Sequence, residues 1–316
     1  MVIDLTKNNS IAAIKNIDED LALSYYSKLG LDHSSPSQEN LLDSDWLVRY
    51  CHFTQEDRRL MNISYRMTAG VSIGRASQKF LSKYMYDAEK KILNEKKDLD
   101  TIIKEEINEY DKYQAHNEED KIQHEDTKNY LTDMIKITVK AVNDIGLGDE
   151  SASERYCSHK FKELVLPKIG RIDYEDNKNK FIELKTKHRS KRKSDTKAGF
   201  SWIKGYLPKQ PDVNHVKQCA FYWKATGKTP HLLYVNQDSY NVFTPDTCEL
   251  LTPEYMDFLV QGDLIKAKIR QNLVYLCKGN PFEIARLVPP PDFSGFMWKD
   301  IQEEYVRKAA SLWDNV

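Results

Sequence analysis

Cysteine is scarce in this sequence, and its placement suggests neither a disulfide framework nor a metal cluster. The five cysteines are Cys51, Cys157, Cys219, Cys248 and Cys277, and no two of them form a CxxC pair. We therefore expect reduced thiols and neither a zinc site nor an iron–sulfur cluster. The eight histidines show no metal-ligand spacing and have no serine or cysteine partner that would suggest nucleophilic catalysis.

Long apolar runs are missing as well. No stretch approaches the roughly 20 apolar residues that cross a bilayer, and the mean hydropathy is −0.66. The first ten residues, MVIDLTKNNS, lack the basic start and apolar stretch of a secretory signal. We expect a cytoplasmic protein without a membrane partner, whose 40% apolar residues can still build a substantial core.

Charge is nearly balanced overall but uneven along the chain. The formal net charge is −1, whereas residues 171–228 carry 15 basic and 6 acidic side chains and residues 95–133 carry 6 basic and 13 acidic ones. A basic segment in a neutral protein is typical of a polyanion-binding face, although a solvated loop gives the same pattern.

The pattern of apolar residues changes in the middle of the chain. From about Asp43 to Ile145 apolar residues recur every three or four positions, which predicts helices. The polar segment 117–128 is either an exposed helix or a break between two helices. Beyond residue 150, ERYCSHKFKELVLPKIGRIDY and KFIELKTK alternate as strands do, with EDNKNK as a hairpin turn.

The last third of the chain returns to mixed patterns. The basic stretch Lys187 to Gln210 predicts a loop, and VNHVKQCAFYWKATG predicts a helix that ends at Gly227. HLLYVNQ and YNVFT predict strands, EYMDFLVQGDLIKAKIRQNLVYLCK a long helix, 281–294 irregular structure, and 300–313 a final helix. The fold class is therefore α/β in the broad sense (α+β), with a helical region 1–149 and a mixed-sheet region 150–316.

The chemically informative segment is GRIDYEDNKNKFIELKTK, residues 170–187. Glu183 and Lys185 stand two apart on one predicted strand, so both point to the same face. If the hairpin brings Asp173 beside Glu183, two carboxylates and an ammonium converge. Such a set suits Mg²⁺ and metal-assisted hydrolysis of a phosphodiester, although an ExK pair alone also fits a solvent-facing charge pair.

The order of three short motifs resembles the RecB-like branch of the PD-(D/E)XK nucleases. Gly170 precedes Asp173, the ELK motif follows, and Gln218 and Tyr222 form a QxxxY pair on the next helix. The segment 154–173 is also similar to the strand pair of the mitochondrial genome maintenance exonuclease and its phage relatives. In many relatives a histidine follows a glycine on the N-terminal helix, whereas this chain has Gly74 and Gln78.

The resemblance implies a restriction-endonuclease-like sheet core, a covering helical N-terminal region and a set of site residues. It implies catalytic roles for Asp173, Glu183, Lys185 and Glu154. Mg²⁺, which Mn²⁺ would replace, would be held by Asp173, Glu183, Leu184 and Glu154. Gln218 and Tyr222 would support the site and contact the DNA backbone.

Other residues are candidates for binding nucleic acid because of their charge or aromatic character. Lys187 and Arg189 follow the predicted catalytic strand, and Arg66 and Arg75 lie on the predicted covering helix. Trp202 is the aromatic residue in the basic stretch that we expect to stack on bases. Each of these residues also fits an ordinary surface or core position.

The expected function is that of a metal-dependent deoxyribonuclease, an exonuclease acting on single-stranded DNA or DNA ends. The resemblance places it in DNA repair or recombination in a bacterial or phage-infected cell, where a recombination or replication protein is a conceivable partner. The alternatives are an endonuclease of the same fold, a catalytically silent nucleic-acid-binding protein, and an unrelated α+β protein with a chance motif.

Overall fold

The computed structural model describes residues 17–60, 64–87, 89–115, 117–148, 150–194, 199–295, 297–298 and 301–314. The N-terminal ten residues and the predicted helix start at Asp300 lie outside these ranges. All statements about structure below concern the described residues.

Groups of helices are followed by groups of strands along the chain. The helices are α1 Glu19–Lys28, α2 Pro36–Glu39, α3 Asp43–Trp46, α4 Gln55–Leu60, α5 Tyr65–Leu81, α6 Leu99–Tyr110, α7 Glu118–Ile145, α8 Val213–Thr226, α9 Pro253–Leu276, α10 Pro281–Ala285 and α11 Glu303–Ala310. The strands are β1 Tyr84–Asp87, β2 Lys90–Leu93, β3 Ala152–His159, β4 Lys168–Glu175, β5 Lys180–Thr186, β6 Ser190–Lys193, β7 Phe200–Ile203, β8 Thr229–Val235 and β9 Tyr240–Phe243. The fold is therefore mixed α/β, as the sequence predicts.

The chain forms two compact units that are interleaved in sequence. Unit 1 comprises residues 1–62, 158–170 and 258–316, and unit 2 comprises residues 63–157 and 171–257. Each unit takes residues from both sides of the predicted division at 149 and 150. Position along the chain therefore does not separate the units.

Unit 1 is helical and is organised around a buried arginine in α9. The guanidinium of Arg270 donates to the backbone oxygens of Gln38, at 2.8 Å, and Leu41, at 2.7 Å, and to Asp43 Oδ1, at 2.9 Å. It also lies 5.0 Å from the ring centroid of Trp46. These bonds satisfy the loop between α2 and α3, whose polar backbone groups would otherwise be costly to bury.

Unit 2 contains most of a seven-stranded mixed sheet with the order β2-β1-β3-β4-β5-β8-β9. β4 and β5 are antiparallel, and β5 and β8 are parallel. On one side α5, α6 and α7 share an apolar core that includes Ile73, Ile102 and Leu131, all 0% exposed. Capping residues explain where α8 begins and ends. The side chain of Asp212 accepts the N–H of Asn214 at its start, and Gly227 ends it with φ 70°.

Two predicted elements are wrong, each because strand pairing overrides local pattern. The helical pattern predicted over residues 43–145 does not hold after Leu81, where α5 ends. There β1 and β2 form a hairpin, and β1 pairs in parallel with β3. The predicted loop 187–210 contains a second hairpin, β6–β7, in which Arg192 lies opposite Ser201 and Lys191 opposite Trp202. Its alternating residues form a separate two-stranded sheet.

Smaller differences lie near helix ends. The polar segment 117–128 is helical, because α7 begins at Glu118 with Asn117 as its cap. The segment predicted as irregular after residue 280 starts with α10, where the side chain of Asn280 accepts the N–H of Phe282 and Pro281 occupies the first turn. The predicted strands before and after EDNKNK and the long α9 are confirmed. No described helix is long and apolar enough to span a membrane.

Candidate functional site

The β4–β5 pair brings together the two carboxylates singled out from the sequence. The antiparallel register pairs Tyr174 with Ile182 and Glu175 with Phe181, so its continuation places Asp173 opposite Glu183. Asp173 Oδ2 accepts the backbone N–H of Leu184 at 2.7 Å. The two acidic side chains therefore converge because neighbouring strands hold them in register.

Lys185 is the third member of this cluster and lies on β5, the strand that also carries Glu183. Its Nζ donates to Glu183 Oε1 at 2.7 Å and to Gln218 Oε1 at 2.8 Å. Burial disfavours the ammonium charge, but the carboxylates of Glu183 and Asp173 outweigh it and raise the pKa of Lys185 to about 12. Lys185 consequently stays protonated and can serve as a fixed cation but not as a base near neutral pH.

The carboxylates carry more negative charge than Lys185 can neutralise. Burial raises the pKa of Asp173 well above its ordinary value, and the adjacent charge of Glu183 raises it further. Burial also raises the pKa of Glu183, against the opposing effect of Lys185. Glu183 is 2% exposed, and its Oε2 has no hydrogen-bond partner in the structure. An additional cation would satisfy both the excess charge and this oxygen.

This arrangement fits a divalent cation that shares its coordination with a substrate. Within the described residues, no three His, Cys, Asp or Glu side chains are grouped to hold a metal ion by themselves. Mg²⁺, however, commonly takes only one or two protein carboxylates and completes its shell with water and phosphate. Asp173 and Glu183 meet that requirement, whereas ligation by Leu184 through its backbone stays a prediction.

Glu154, the third predicted acid, approaches the cluster from β3 and is held by an amide. Gln78 Nε2 donates to Glu154 Oε1 at 2.8 Å and to the backbone oxygen of Asp173 at 3.2 Å. Arg171 lies 3.8 Å from Glu154 Oε2. Gln78, noted in the sequence as a departure from the histidine pattern, thus connects α5 to β3 and β4.

The QxxxY pair on α8, Gln218 and Tyr222, links Lys185 to the backbone of β4 through hydrogen bonds. Gln218 accepts from Lys185 and donates to the hydroxyl of Tyr222 at 2.9 Å, and that hydroxyl donates to the backbone oxygen of Arg171 at 2.6 Å. Tyr222 is 2% exposed. A direct contact between Tyr222 and DNA does not fit this burial, so its observed role is to orient Gln218 and through it Lys185.

Not all of the basic candidates lie free at the site. Arg75 pairs with the buried Glu106 of α6 at 3.7 Å, and Arg189 pairs with Asp126 of α7 at 3.3 Å. The Arg189 guanidinium also lies 5.5 Å from the Trp202 ring. Arg189 therefore joins the β6–β7 hairpin to α7, a role that its place in a basic run does not reveal.

The remaining candidates lie near the end of β5. Lys187 Nζ lies 5.3 Å from the Tyr234 ring, and Arg66 is exposed and donates to the hydroxyl of Tyr65 at 2.8 Å. His188 was missed in the sequence. Its Nε2 lies 3.0 Å from the hydroxyl oxygen of Thr186, and burial, with a smaller effect of Arg66, lowers its pKa to about 4. A neutral imidazole thus lies among the cations that follow β5.

Comparison of the chain with protein-family models, with curated proteins and with solved structures finds no match. The geometry of the cluster and the motifs in the sequence therefore carry the functional argument.

Proposed function

We propose that the protein is a divalent-metal-dependent deoxyribonuclease whose reaction centre is formed by Asp173, Glu183 and Lys185. One observation carries the proposal: the carboxylates of Asp173 and Glu183 converge with the single ammonium of Lys185, so the cluster holds more negative charge than Lys185 neutralises. A one-to-one ion pair leaves no such excess of negative charge for a further cation to neutralise. The motifs at 170–185 and 218–222 support the same reading.

Each residue of the cluster has a distinct part in the proposed reaction. Asp173 and Glu183 would hold the cation. When bound, a divalent cation supplies polarisation of a phosphoryl oxygen and a lowered pKa for an attacking water. Lys185 keeps its proton and neutralises negative charge that develops on the phosphate. Gln218 holds the ammonium of Lys185 in place, since it accepts a hydrogen bond from Lys185 Nζ at 2.8 Å, beside the one that Glu183 accepts.

The basic hairpin β6–β7 supports DNA as the substrate. It follows β5 directly, and its half-buried Lys191 lies opposite Trp202 with its ammonium 4.3 Å from the Phe200 ring centroid. The exposed Arg192 lies opposite Ser201 on the other face. Cations that follow a phosphate backbone, combined with aromatic rings for bases, are typical of single-strand binding surfaces. The choice of an exonuclease rests on the sequence resemblance alone.

The test is cleavage of end-labelled DNA, single- and double-stranded, linear and circular, with Mg²⁺, Mn²⁺ or EDTA. We expect metal-dependent loss of the linear substrates only, and at least a hundredfold slower cleavage by Lys185→Met, from loss of a preorganised charge. Lys168→Met is the matched control, since Lys168 is also buried and lies 3.7 Å from Asp263 in unit 1. This control should lose stability but not cleavage per folded molecule.

Other outcomes would lead to the alternatives. Cleavage of circular DNA would indicate an endonuclease of the same site. DNA binding without cleavage under any metal condition would support a silent binding protein. Cleavage that Lys185→Met leaves unchanged would contradict the proposed centre.

A further inference from the structure

Glu154 adopts a backbone conformation that is unusual for its position. Its φ is 58° inside strand β3, whereas the other described non-glycine residues with positive φ, Asn179 and Lys278, lie in a turn and after a helix end. The left-handed region is disfavoured for an L-residue, because its Cβ crowds the following carbonyl oxygen. Such strain persists only where surrounding interactions hold it, and it is concentrated at functional sites.

Gln78 provides the interaction that holds the Glu154 side chain. It is 3% exposed, and its Nε2 donates both to Glu154 Oε1 and to the backbone oxygen of Asp173. One amide therefore links the Glu154 side chain on β3 to the backbone of Asp173 on the neighbouring strand β4. A buried amide is costly unless it is bonded, so this geometry is specific.

Glu154 is close enough to influence the metal-facing carboxylates without joining them as a direct ligand set. Its negative charge contributes to the raised pKa values of both Asp173 and Glu183. Yet no group of three acidic side chains with metal-binding geometry occurs among the described residues. One oxygen of Glu154 is occupied by Gln78, and the other lies 3.8 Å from Arg171.

We propose that Gln78 is a positioning residue that holds Glu154 as an outer carboxylate of the metal site, acting on the cation through an intervening water. The proposal rests on the proposed function, because it requires a cation at Asp173 and Glu183. It revises the direct ligation by Glu154 that the sequence resemblance implies. The strained backbone is then the cost of aiming this carboxylate inward from β3.

The experiment is calorimetric titration of the substrate-free full chain with Mn²⁺ alone. Glu154→Gln keeps an acceptor for Gln78 but removes the charge, and Gln78→Leu removes both N–H donors at similar volume. Loss of an outer partner commonly weakens metal affinity 10–100-fold, so we expect about tenfold for each variant. If Gln78 acts through Glu154, the double variant should also lose about tenfold, not the product of both effects.

A buried glutamine elsewhere gives the matched control. Gln271 in α9 is 4% exposed and accepts the N–H of Val165 at 2.6 Å. Gln271→Leu should lower the urea midpoint and leave the Mn²⁺ affinity unchanged. Should Gln78→Leu fail to fold, Gln78→Met keeps the unbranched side chain and removes the same donors.

The possible failures are distinguishable. Wild-type affinity in Gln78→Leu, or multiplicative losses in the double variant, would overturn the positioning role while the nuclease proposal stands. No Mn²⁺ binding by the substrate-free wild-type chain would overturn the positioning role, and the nuclease proposal would fall with it only if metal-dependent DNA cleavage were absent as well.

Discussion

The Asp173→Asn variant should be more stable than the wild-type protein in the absence of metal. It should be less stable than the wild-type protein when metal is added. The cluster of Asp173, Glu183 and Lys185 carries a formal charge of −1 when its groups are ionised, and the substitution brings it to zero. Asparagine retains an oxygen that can accept the Leu184 N–H, which Asp173 now accepts at 2.7 Å. The substitution therefore removes repulsion and desolvation without a lost hydrogen bond.

The expected magnitudes determine the order of stabilities. Relief of a strained functional site typically adds about 1–2 kcal/mol to the free energy of unfolding. That corresponds to roughly 3–6 °C in Tm for a unit of this size. A metal at 100 times its Kd stabilises the wild-type chain by about 2.7 kcal/mol. The wild-type protein should therefore be the less stable one in EDTA and the more stable one in saturating Mn²⁺.

The pH dependence of the stability difference between Asp173→Asn and the wild-type protein is a second, independent test. Burial and the Glu183 charge raise the pKa of Asp173 in the folded state, so the folded chain binds the proton more tightly than the unfolded chain. The stabilising effect of protonation is complete below the ordinary aspartate pKa and is lost as pH rises through the raised value. In EDTA the gap between Asp173→Asn and wild type should consequently be small near pH 4 and widen toward pH 8.

Urea and thermal unfolding in EDTA and in Mn²⁺ provide the assay. Asp176→Asn is the control, because Asp176 is 2% exposed and its carboxylate accepts the backbone N–H groups of Lys178, at 2.9 Å, and Lys180, at 3.1 Å. That variant should lose stability with or without metal. The reasoning is refuted if Asp173→Asn is less stable than wild type in EDTA at pH 8.

Three further predictions concern the support of Lys185 and the DNA-binding surface. Gln218→Leu removes the acceptor of Lys185, so cleavage at saturating Mn²⁺ should fall about tenfold or more while far-UV circular dichroism is unchanged. Trp202→Ala should weaken single-stranded DNA binding by about 1–3 kcal/mol in fluorescence anisotropy, whereas Trp223→Ala in α8 should not; equal losses would argue against stacking by the hairpin. Arg192→Ala should reduce the slope of log K against log salt by about 0.7 on single-stranded DNA, and an unchanged slope would remove Arg192 from the phosphate contacts.

The local sequence pattern predicts secondary structure correctly where the spacing of apolar residues and the residue types of the turns indicate the same elements. The alternation in KFIELKTK is enough to predict that Glu183 and Lys185 share a face. The polar turn EDNKNK predicts the hairpin, and the register of β4 and β5 supplies the condition that Asp173 lies opposite Glu183. Capping residues such as Asp212 and Gly227 similarly mark the ends of α8. The hairpin and the helix caps depend on residues that are close in sequence, and they can therefore be predicted from the sequence alone.

The β1–β2 and β6–β7 hairpins could not be predicted from the local pattern, because their formation depends on the strands with which they pair. The segment after Leu81 has helical spacing, yet β1 pairs with β3, whose residues lie more than 60 positions later. β6 and β7 are strands because the basic residues of 190–193 pair with the residues of 200–203. Strand formation is set by the partner as much as by the residue itself.

The sequence alone determined the mixed α/β class, the catalytic candidates on one strand face and the concentration of basic charge after that strand. Those properties follow from side-chain type and from periods of two or 3.6 residues. Only the tertiary structure decided that Gln78 holds Glu154 76 positions away, that Tyr222 is buried beneath Gln218, and that Arg189 and Arg75 are paired with acids of α7 and α6. Contacts between distant segments are selected by packing and by the need to satisfy buried polar groups, and neither is encoded in the spacing of residues along one segment.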